Sequence, residues 1–93
     1  MMHGNLQPDE DTFQALDGVA LNAKGRQAYL RVTARDRPAE VYVGGFPGSP
    51  GRVVTIPAFG DWAVRIPKEA NAMYLGNGKD QPEVAWVVTP SPV

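Results

Sequence analysis

The sequence predicts an all-β protein: a small antiparallel β-sandwich or jelly-roll-like barrel of about six strands, with an extended N-terminal arm. Apolar and polar residues alternate with period two from residue 27 onward. Glycine, proline, asparagine and aspartate interrupt this pattern at short intervals, as turns between short strands do. No helical period is long enough to connect parallel strands, so we expect the strands to pair antiparallel.

The chain divides into an N-terminal arm, residues 1–26, and a β domain, residues 27–93. The arm is polar and acidic around Asp9, and only Phe13 and Leu16 follow one another at helical spacing. Either one short helical turn or an extended segment fits this composition, and neither would be stable in isolation. We therefore expect the arm to be mobile or docked on a partner.

Six strands are predicted in the β domain, each ended by turn residues. The first, 27–35, has the clearest alternation and ends at Asp36-Arg37-Pro38, and the second, 40–43, ends at the Gly- and Pro-rich loop 44–51. The others are 52–56 before Pro57, 62–66 before Pro67, 72–75 before Gly76-Asn77-Gly78, and 83–89 before Pro90. The sequence contains no long internal repeat.

Alternation assigns one set of large apolar side chains to the core. Its members are Leu30, Val32, Val41, Val43, Val54, Ile56, Trp62, Val64, Ile66, Met73, Leu75, Val84, Trp86 and Val88.

The opposite side of the strands is rich in Tyr, Arg and Val, residue types that suit a protein contact. The same residues are also good strand formers that can stand singly on a surface. We take Phe46, expected near the exposed tip of loop 44–51, as a further contact candidate, although that loop could simply be a long hairpin connection. The partner-contact candidates are Tyr29, Arg31, Tyr42, Phe46, Val53, Tyr74 and Val87.

The composition of the chain favours protein partners over nucleic acid and membrane. A chain of 93 residues forms one domain with a thin stability margin, and it has no cysteine, so a partner subunit is the remaining source of extra stability. We therefore expect protein partners and a homo-oligomer. The net charge of −1 gives no drive toward nucleic acid or anionic membrane, and no apolar run is long enough to span a bilayer. The N-terminal residues lack the pattern of a signal peptide, so we expect none.

Catalytic and metal-binding residue types are scarce. The single histidine, His3, lies in the arm, and the serines are Ser49 in a loop and Ser91 in the tail, so we expect no enzyme. The segments 9–11 and 77–80 do not match a calcium loop, and Lys79 opposes a cation in the second, so we expect no metal or cofactor.

Two other kinds of ligand have some support. A nucleic-acid-binding barrel could use four residues along the first strand and its turn to stack on bases and contact phosphates: Tyr29, Arg31, Arg35 and Arg37. Trp62 and Trp86 could form a sugar-stacking platform in a carbohydrate-binding or adhesive β-sandwich, although alternation directs both toward the core.

The layout resembles the small β-sandwich accessory proteins of tailed-bacteriophage virions, such as capsid decoration or cement proteins, head fibres and spike-base modules. The resemblance lies in the arm followed by short Val-rich strands with Gly/Pro turns, as in Val41-Tyr42-Val43-Gly44-Gly45 and Met73-Tyr74-Leu75-Gly76. It implies symmetric assembly on a shell, often as trimers, with the arm gripping neighbouring subunits. No family-defining motif is present, so the resemblance assigns no functional residue.

The leading hypothesis is a non-catalytic virion structural protein that binds capsid or tail subunits and is made in the host cytoplasm. A carbohydrate-binding or adhesive sandwich is the first alternative, and a nucleic-acid-binding barrel is the second. If the protein is not viral, we expect it in the cytoplasm.

Overall fold

The computed structural model describes residues 2–15, 28–46, 51–67 and 69–90. Within these ranges it is all-β, with eight strands and no helix. The strands are β1 (Met2–Leu6), β2 (Asp11–Ala15), β3 (Ala28–Ala34), β4 (Ala39–Gly44), β5 (Arg52–Ile56), β6 (Asp61–Ile66), β7 (Ala72–Asn77) and β8 (Val84–Pro90).

The strands form two four-stranded sheets, and every pair is antiparallel, as predicted. The first sheet has the order β1-β8-β3-β6, and the second has the order β2-β7-β4-β5. Their inner faces share one hydrophobic core, an arrangement consistent with a β-sandwich.

The prediction of six strands was wrong, because β1 and β2 lie in the segment predicted as an arm. Residues 11–15 form a strand, which also excludes a helical turn there. These two strands lack the Val and Ile that mark a strand in sequence, and both are edge strands held by backbone pairing to β8 and β7. Such pairing depends on the neighbouring strand, so local composition does not reveal it. The rest of the predicted arm, Met1 and residues 16–26, lies outside the described residues.

The two sheets repeat the same topology, although the sequence shows no repeat. If four is added to each strand number, and counting returns to one after eight, the order β1-β8-β3-β6 becomes β5-β4-β7-β2. This is the order of the second sheet read from its other edge. The matching turns after β1 and β5 each hold one residue with positive φ, Asp9 at 57° and Phe59 at 59°. The chain is therefore built from two topologically equivalent halves, β1–β4 and β5–β8.

The predicted core is confirmed. All the residues assigned to it are buried except Trp62 and Val64, which are partly buried and pack against the same cluster. Leu6 from the predicted arm is also fully buried, which attaches β1 to the core. Full burial of a side chain such as Leu6 stabilises the fold by about 2 kcal/mol.

Four connections, β1–β2, β3–β4, β5–β6 and β7–β8, cross between the sheets at the same end of the molecule. Asn77, predicted to lie in a turn, is instead the buried last residue of β7. Its side-chain NH₂ lies 3.3, 3.1 and 2.9 Å from the carbonyl oxygens of Leu6, Gln7 and Pro82, which places it between β1 and the β7–β8 connection. This contact fixes the end of the molecule where the acidic residues lie.

Candidate binding surfaces

The outward side of the second sheet carries exposed aromatic and apolar residues. We call it the tyrosine face; its outward residues are Asp11, Phe13, Glu40, Tyr42, Val53, Thr55, Tyr74 and Gly76. Phe13, Val53 and Tyr42 are 67%, 61% and 41% exposed. Phe13 and Val53 are on the two edge strands of this sheet, β2 and β5, and Tyr42 is on β4 between them.

An open cleft of about 420 Å³ lies on the tyrosine face, beside the rings of Tyr42 and Tyr74. The ring centroids are 5.4 Å apart and the planes meet at 77°, an edge-to-face pair. Gly51, with φ 111°, leaves room for the Tyr42 hydroxyl, since a Cβ at Gly51 would overlap that oxygen. A glycine is therefore required for this position of the Tyr42 ring.

The cleft is acidic. Its lining includes the carboxylates Asp9, Glu10, Asp11 and Glu40, and no Lys or Arg among the described residues. The Tyr74 hydroxyl donates a hydrogen bond to Asp11 Oδ2 at 2.6 Å. This hydrogen bond, followed by burial and by the negative charge of Asp11, raises the pKa of Tyr74 above its ordinary value. The surface suits ligands that donate hydrogen bonds or carry positive charge.

Two segments that lie far apart in sequence, 9–11 and 77–80, meet at this cleft. The Asp9 amide donates to the Gly78 carbonyl at 2.9 Å, and the Asn77 amide donates to the Glu10 carbonyl at 2.8 Å. These are the segments 9–11 and 77–80 that sequence analysis examined for calcium. Among the described residues, no group of three or more His, Asp or Glu side chains is placed to hold a metal ion.

The outward side of the first sheet is different. We call it the arginine face; its residues are His3, Asn5, Tyr29, Arg31, Thr33, Arg35, Asp61, Ala63, Arg65, Glu83, Ala85, Val87 and Thr89. Arg31 lies 3.4 Å from Asp61, and Arg35 lies 2.9 Å from Glu83. Arg65 is exposed and forms no ion pair within the described part of the chain.

The predicted contact residues divide between these two surfaces. Tyr42, Val53 and Tyr74 lie together on the tyrosine face, with Tyr42 directly opposite Val53 in the β4–β5 pair. The arginine face holds Tyr29, Arg31 and Val87, and Arg31 is opposite Val87 in the β3–β8 pair. The sequence did not indicate that these sets lie on opposite sides of the molecule.

The expectation that Phe46 is exposed was wrong, because this side chain is only 6% exposed and belongs to the core. Gly45, with φ 88°, turns the chain immediately after β4, and Phe46 follows that turn into the interior. The loop tip itself, residues 47–50, lies outside the described residues.

Neither tryptophan forms an exposed sugar-stacking platform. Trp86 is buried in the core, and Trp62 is partly buried on edge strand β6, with the Arg52 guanidinium 5.3 Å from its ring centroid. Of the arginines considered for nucleic acid, Arg31 and Arg35 each have a carboxylate partner on the same face, and Arg37 is exposed in the β3–β4 turn.

Sequence reasoning missed Phe13, Asp11 and Glu40 as surface-site residues. Phe13 and Asp11 lie in the segment interpreted as an arm. Glu40 was not a contact candidate because the candidates were residue types typical of protein contacts, such as Tyr, Arg and Val. The only sequence signal was that Asp11, Phe13 and Ala15 stand at every second position, and this pattern is too short to distinguish a strand from a loop.

His3 lies in β1 and is exposed. In the described ranges, no helix could cross a membrane.

No protein-family model matches the chain, and no curated protein matches its sequence.

Proposed function

We propose that the chain is a non-catalytic structural protein that binds other protein subunits through the outer surfaces of its sheets. The exposure of Phe13, Tyr42 and Val53 on one sheet face carries this proposal. A face of this composition gains free energy when a partner removes it from water, at about 25 cal/mol for each Å² of apolar surface buried.

The specific form of the proposal is a small β-sandwich of a virion, acting as a capsid decoration or cement protein or as a head or tail accessory protein. The partners are then coat or tail subunits, further copies of the chain, or both. Support comes from the Val-rich strands with Gly/Pro turns and from the unpartnered tyrosine face.

A variant of the tyrosine face tests the proposal. Tyr42→Glu combined with Val53→Glu places charges in a contact that would be desolvated, while both side chains point away from the core. In the cells that naturally make the chain, the wild type should sediment with particles of many-subunit size, and the double variant should remain at the size of the free 10.0-kDa chain.

Arg37→Glu is the matched control, because Arg37 is exposed in the β3–β4 turn and lies on neither face. The control should sediment with the wild type, and circular dichroism should show the same strand signal for all three proteins. Sedimentation of the wild type as a free chain, or particle association of the double variant, would contradict the proposal.

Carbohydrate binding is the second candidate function, because the cleft on the tyrosine face places the rings of Tyr42 and Tyr74 beside carboxylates. Rings stack on sugar faces, and carboxylate oxygens accept hydrogen bonds from sugar hydroxyls. A glycan array probed with the purified chain separates the candidates. Glycan binding that is lost in Tyr42→Ala and weakened in Asp11→Asn would favour this second function over subunit binding.

A further inference from the structure

The two candidate surfaces lie on opposite sides of one chain, and their charges are of opposite type. The tyrosine face and its cleft present four carboxylates, Asp9, Glu10, Asp11 and Glu40, and no Lys or Arg among the described residues that line the cleft. The arginine face presents Arg31, Arg35 and Arg65 against Asp61 and Glu83. Among the described residues, the first side is therefore acidic, and the second has a net charge of +1.

We infer that copies of this chain associate head to tail, with the arginine face of one copy on the tyrosine face of the next. The inference rests on the proposed function, since it names a second copy of the chain as the subunit that covers the tyrosine face.

Charge and apolar exposure favour this pairing over its symmetric alternatives. Two tyrosine faces brought together would oppose two sets of carboxylates. Like charges in a desolvated contact are strongly unfavourable. Two arginine faces, which carry both arginines and carboxylates, would leave Phe13, Tyr42 and Val53 in water. The head-to-tail pairing instead places guanidinium groups over carboxylates and over the Tyr42 and Tyr74 rings, both of which attract cations.

The intramolecular ion pair of Arg31 leaves this side chain available for the exchange, whereas Arg35 is held at 2.9 Å from Glu83 and 3.0 Å from Asn5 Oδ1. The side chains of Arg31 and Asp61 are 60% and 53% exposed, and their nitrogen and oxygen are 3.4 Å apart. Such an exposed pair is worth at most about 1 kcal/mol in water. Arg65 has no partner to give up within the described residues.

The two faces also have matching dimensions, because the sheets have equivalent strand orders. Four strands about 4.8 Å apart, with about six residues each at about 3.3 Å per residue, give a face of roughly 19 by 20 Å. A face of this size covers about 400 Å² on each copy, about half of what a standard interface buries per partner, so association should be weak and should depend on protein concentration. Because a head-to-tail contact uses different surfaces on each copy, it leads to a ring or a filament and not to a closed dimer.

Two variants that each disable one face test this inference. The first, Arg31→Glu with Val87→Glu, disables the arginine face, and the second, Tyr42→Glu with Val53→Glu, disables the tyrosine face. Mass is measured by light scattering over a wide range of concentration, with circular dichroism on the same samples and Arg37→Glu as the control.

The wild type and the control should form oligomers whose mass rises with concentration and falls with added salt. Each double variant alone should stay a monomer. An equimolar mixture of the two should form a 1:1 complex of twice the monomer mass and grow no further, because each member keeps one intact face. The two disabled faces cannot pair, since both carry added glutamates.

Three results would overturn the inference. An arginine-face variant that keeps the wild-type mass, while the tyrosine-face variant becomes a monomer, would show symmetric pairing of tyrosine faces. Oligomers that survive in both variants would place the contact elsewhere. A wild type that is monomeric at every concentration would exclude self-pairing. The proposed function survives the last result if the tyrosine-face variant still loses particle association, and it fails only if that association is unaffected.

Discussion

The two outer faces share one strand order but differ in chemistry. Each face belongs to a four-stranded antiparallel sheet, and one order becomes the other when strand numbers shift by four. The tyrosine face presents Phe13, Tyr42 and Val53 as exposed apolar residues beside carboxylates, whereas the arginine face presents arginines, two of them in ion pairs. Equivalent topology therefore fixes where outward residues stand, and the identity of those residues decides what each face can bind.

Stability should depend on the core and much less on the outer faces, so substitutions of core residues should cause the largest losses. Trp86→Ala should cause the largest effect, a loss of about 3–5 kcal/mol in the free energy of unfolding, because the ring is buried and its removal leaves a cavity. Trp62→Ala should cost about 1–2 kcal/mol, since this ring is only partly buried on an edge strand.

Urea denaturation of both tryptophan variants measures this difference, with circular dichroism confirming that the unfolding transition remains cooperative. Equal losses for the two would mean that β6 is as well buried as β8. That result would contradict the assignment of β6 to an exposed edge of the arginine face.

The second test concerns the support of the tyrosine face. Gly51→Ala should lower the free energy of unfolding by about 1–3 kcal/mol, because Gly51 has φ 111° and a Cβ there overlaps the Tyr42 hydroxyl. It should also displace the Tyr42 ring, which NMR of the tyrosine side chains detects.

Gly78→Ala is the control for Gly51→Ala. A Cβ at Gly78 meets only the flexible Gln81 side chain at 3.2 Å, so this variant should unfold with nearly the wild-type free energy. If both variants were equally harmless, the Tyr42 ring would not depend on Gly51.

The two exposed phenylalanines, Phe59 and Phe13, should respond differently to substitution, because Phe59 has a strained backbone and Phe13 lies on the proposed contact face. Phe59 is 80% exposed and has φ 59°, a backbone conformation that a bulky residue adopts at a cost of about 1 kcal/mol or more. Phe59→Asn should therefore raise the free energy of unfolding by about 0.5–1 kcal/mol, because asparagine tolerates this conformation, and it should leave oligomer mass unchanged.

Phe13→Asn should behave in the opposite way. Phe13 lies in strand β2 on the tyrosine face, so its replacement relieves no strain and should lower oligomer mass with little change in stability. Thermal unfolding and light scattering on both variants measure the two effects. A loss of oligomers in Phe59→Asn but not in Phe13→Asn would move the contact from the tyrosine face to the turn after β5.

The smallest effect is the alkaline titration of the tyrosine face. The hydrogen bond to Asp11 raises the pKa of Tyr74 above its ordinary value of 10.0. Folding thus favours the protonated phenol, and its contribution to stability is complete below pH 10.0 and is lost as pH rises through the folded-state pKa. Ultraviolet titration of the phenols should show that Asp11→Asn lowers the pKa of Tyr74, and Tyr74→Phe should remove that component. An unchanged titration curve in Asp11→Asn would mean that the hydrogen bond is absent in solution.

The sequence by itself determined the all-β class, the antiparallel pairing and most of the core. Period-two alternation is a local property of an extended chain, because successive side chains point to opposite sides. Leu30, Val41 and Val88 could therefore be assigned to the interior without knowledge of which strands are neighbours.

Only the tertiary structure decided which outward residues share a face. Strands β1 and β2 are edge strands that pair with β8 and β7, far away in sequence, so their few apolar residues gave little local signal. The same long-range pairing brings Asp11 beside Tyr74, buries Phe46 behind the turn at Gly45, and separates Arg31 from Tyr42 onto opposite sides of the molecule. Strand order depends on contacts between distant segments, whereas alternation depends only on immediate neighbours. For that reason the sequence predicted the core residues of this protein, whereas only the structure shows which residues form each of its two outer faces.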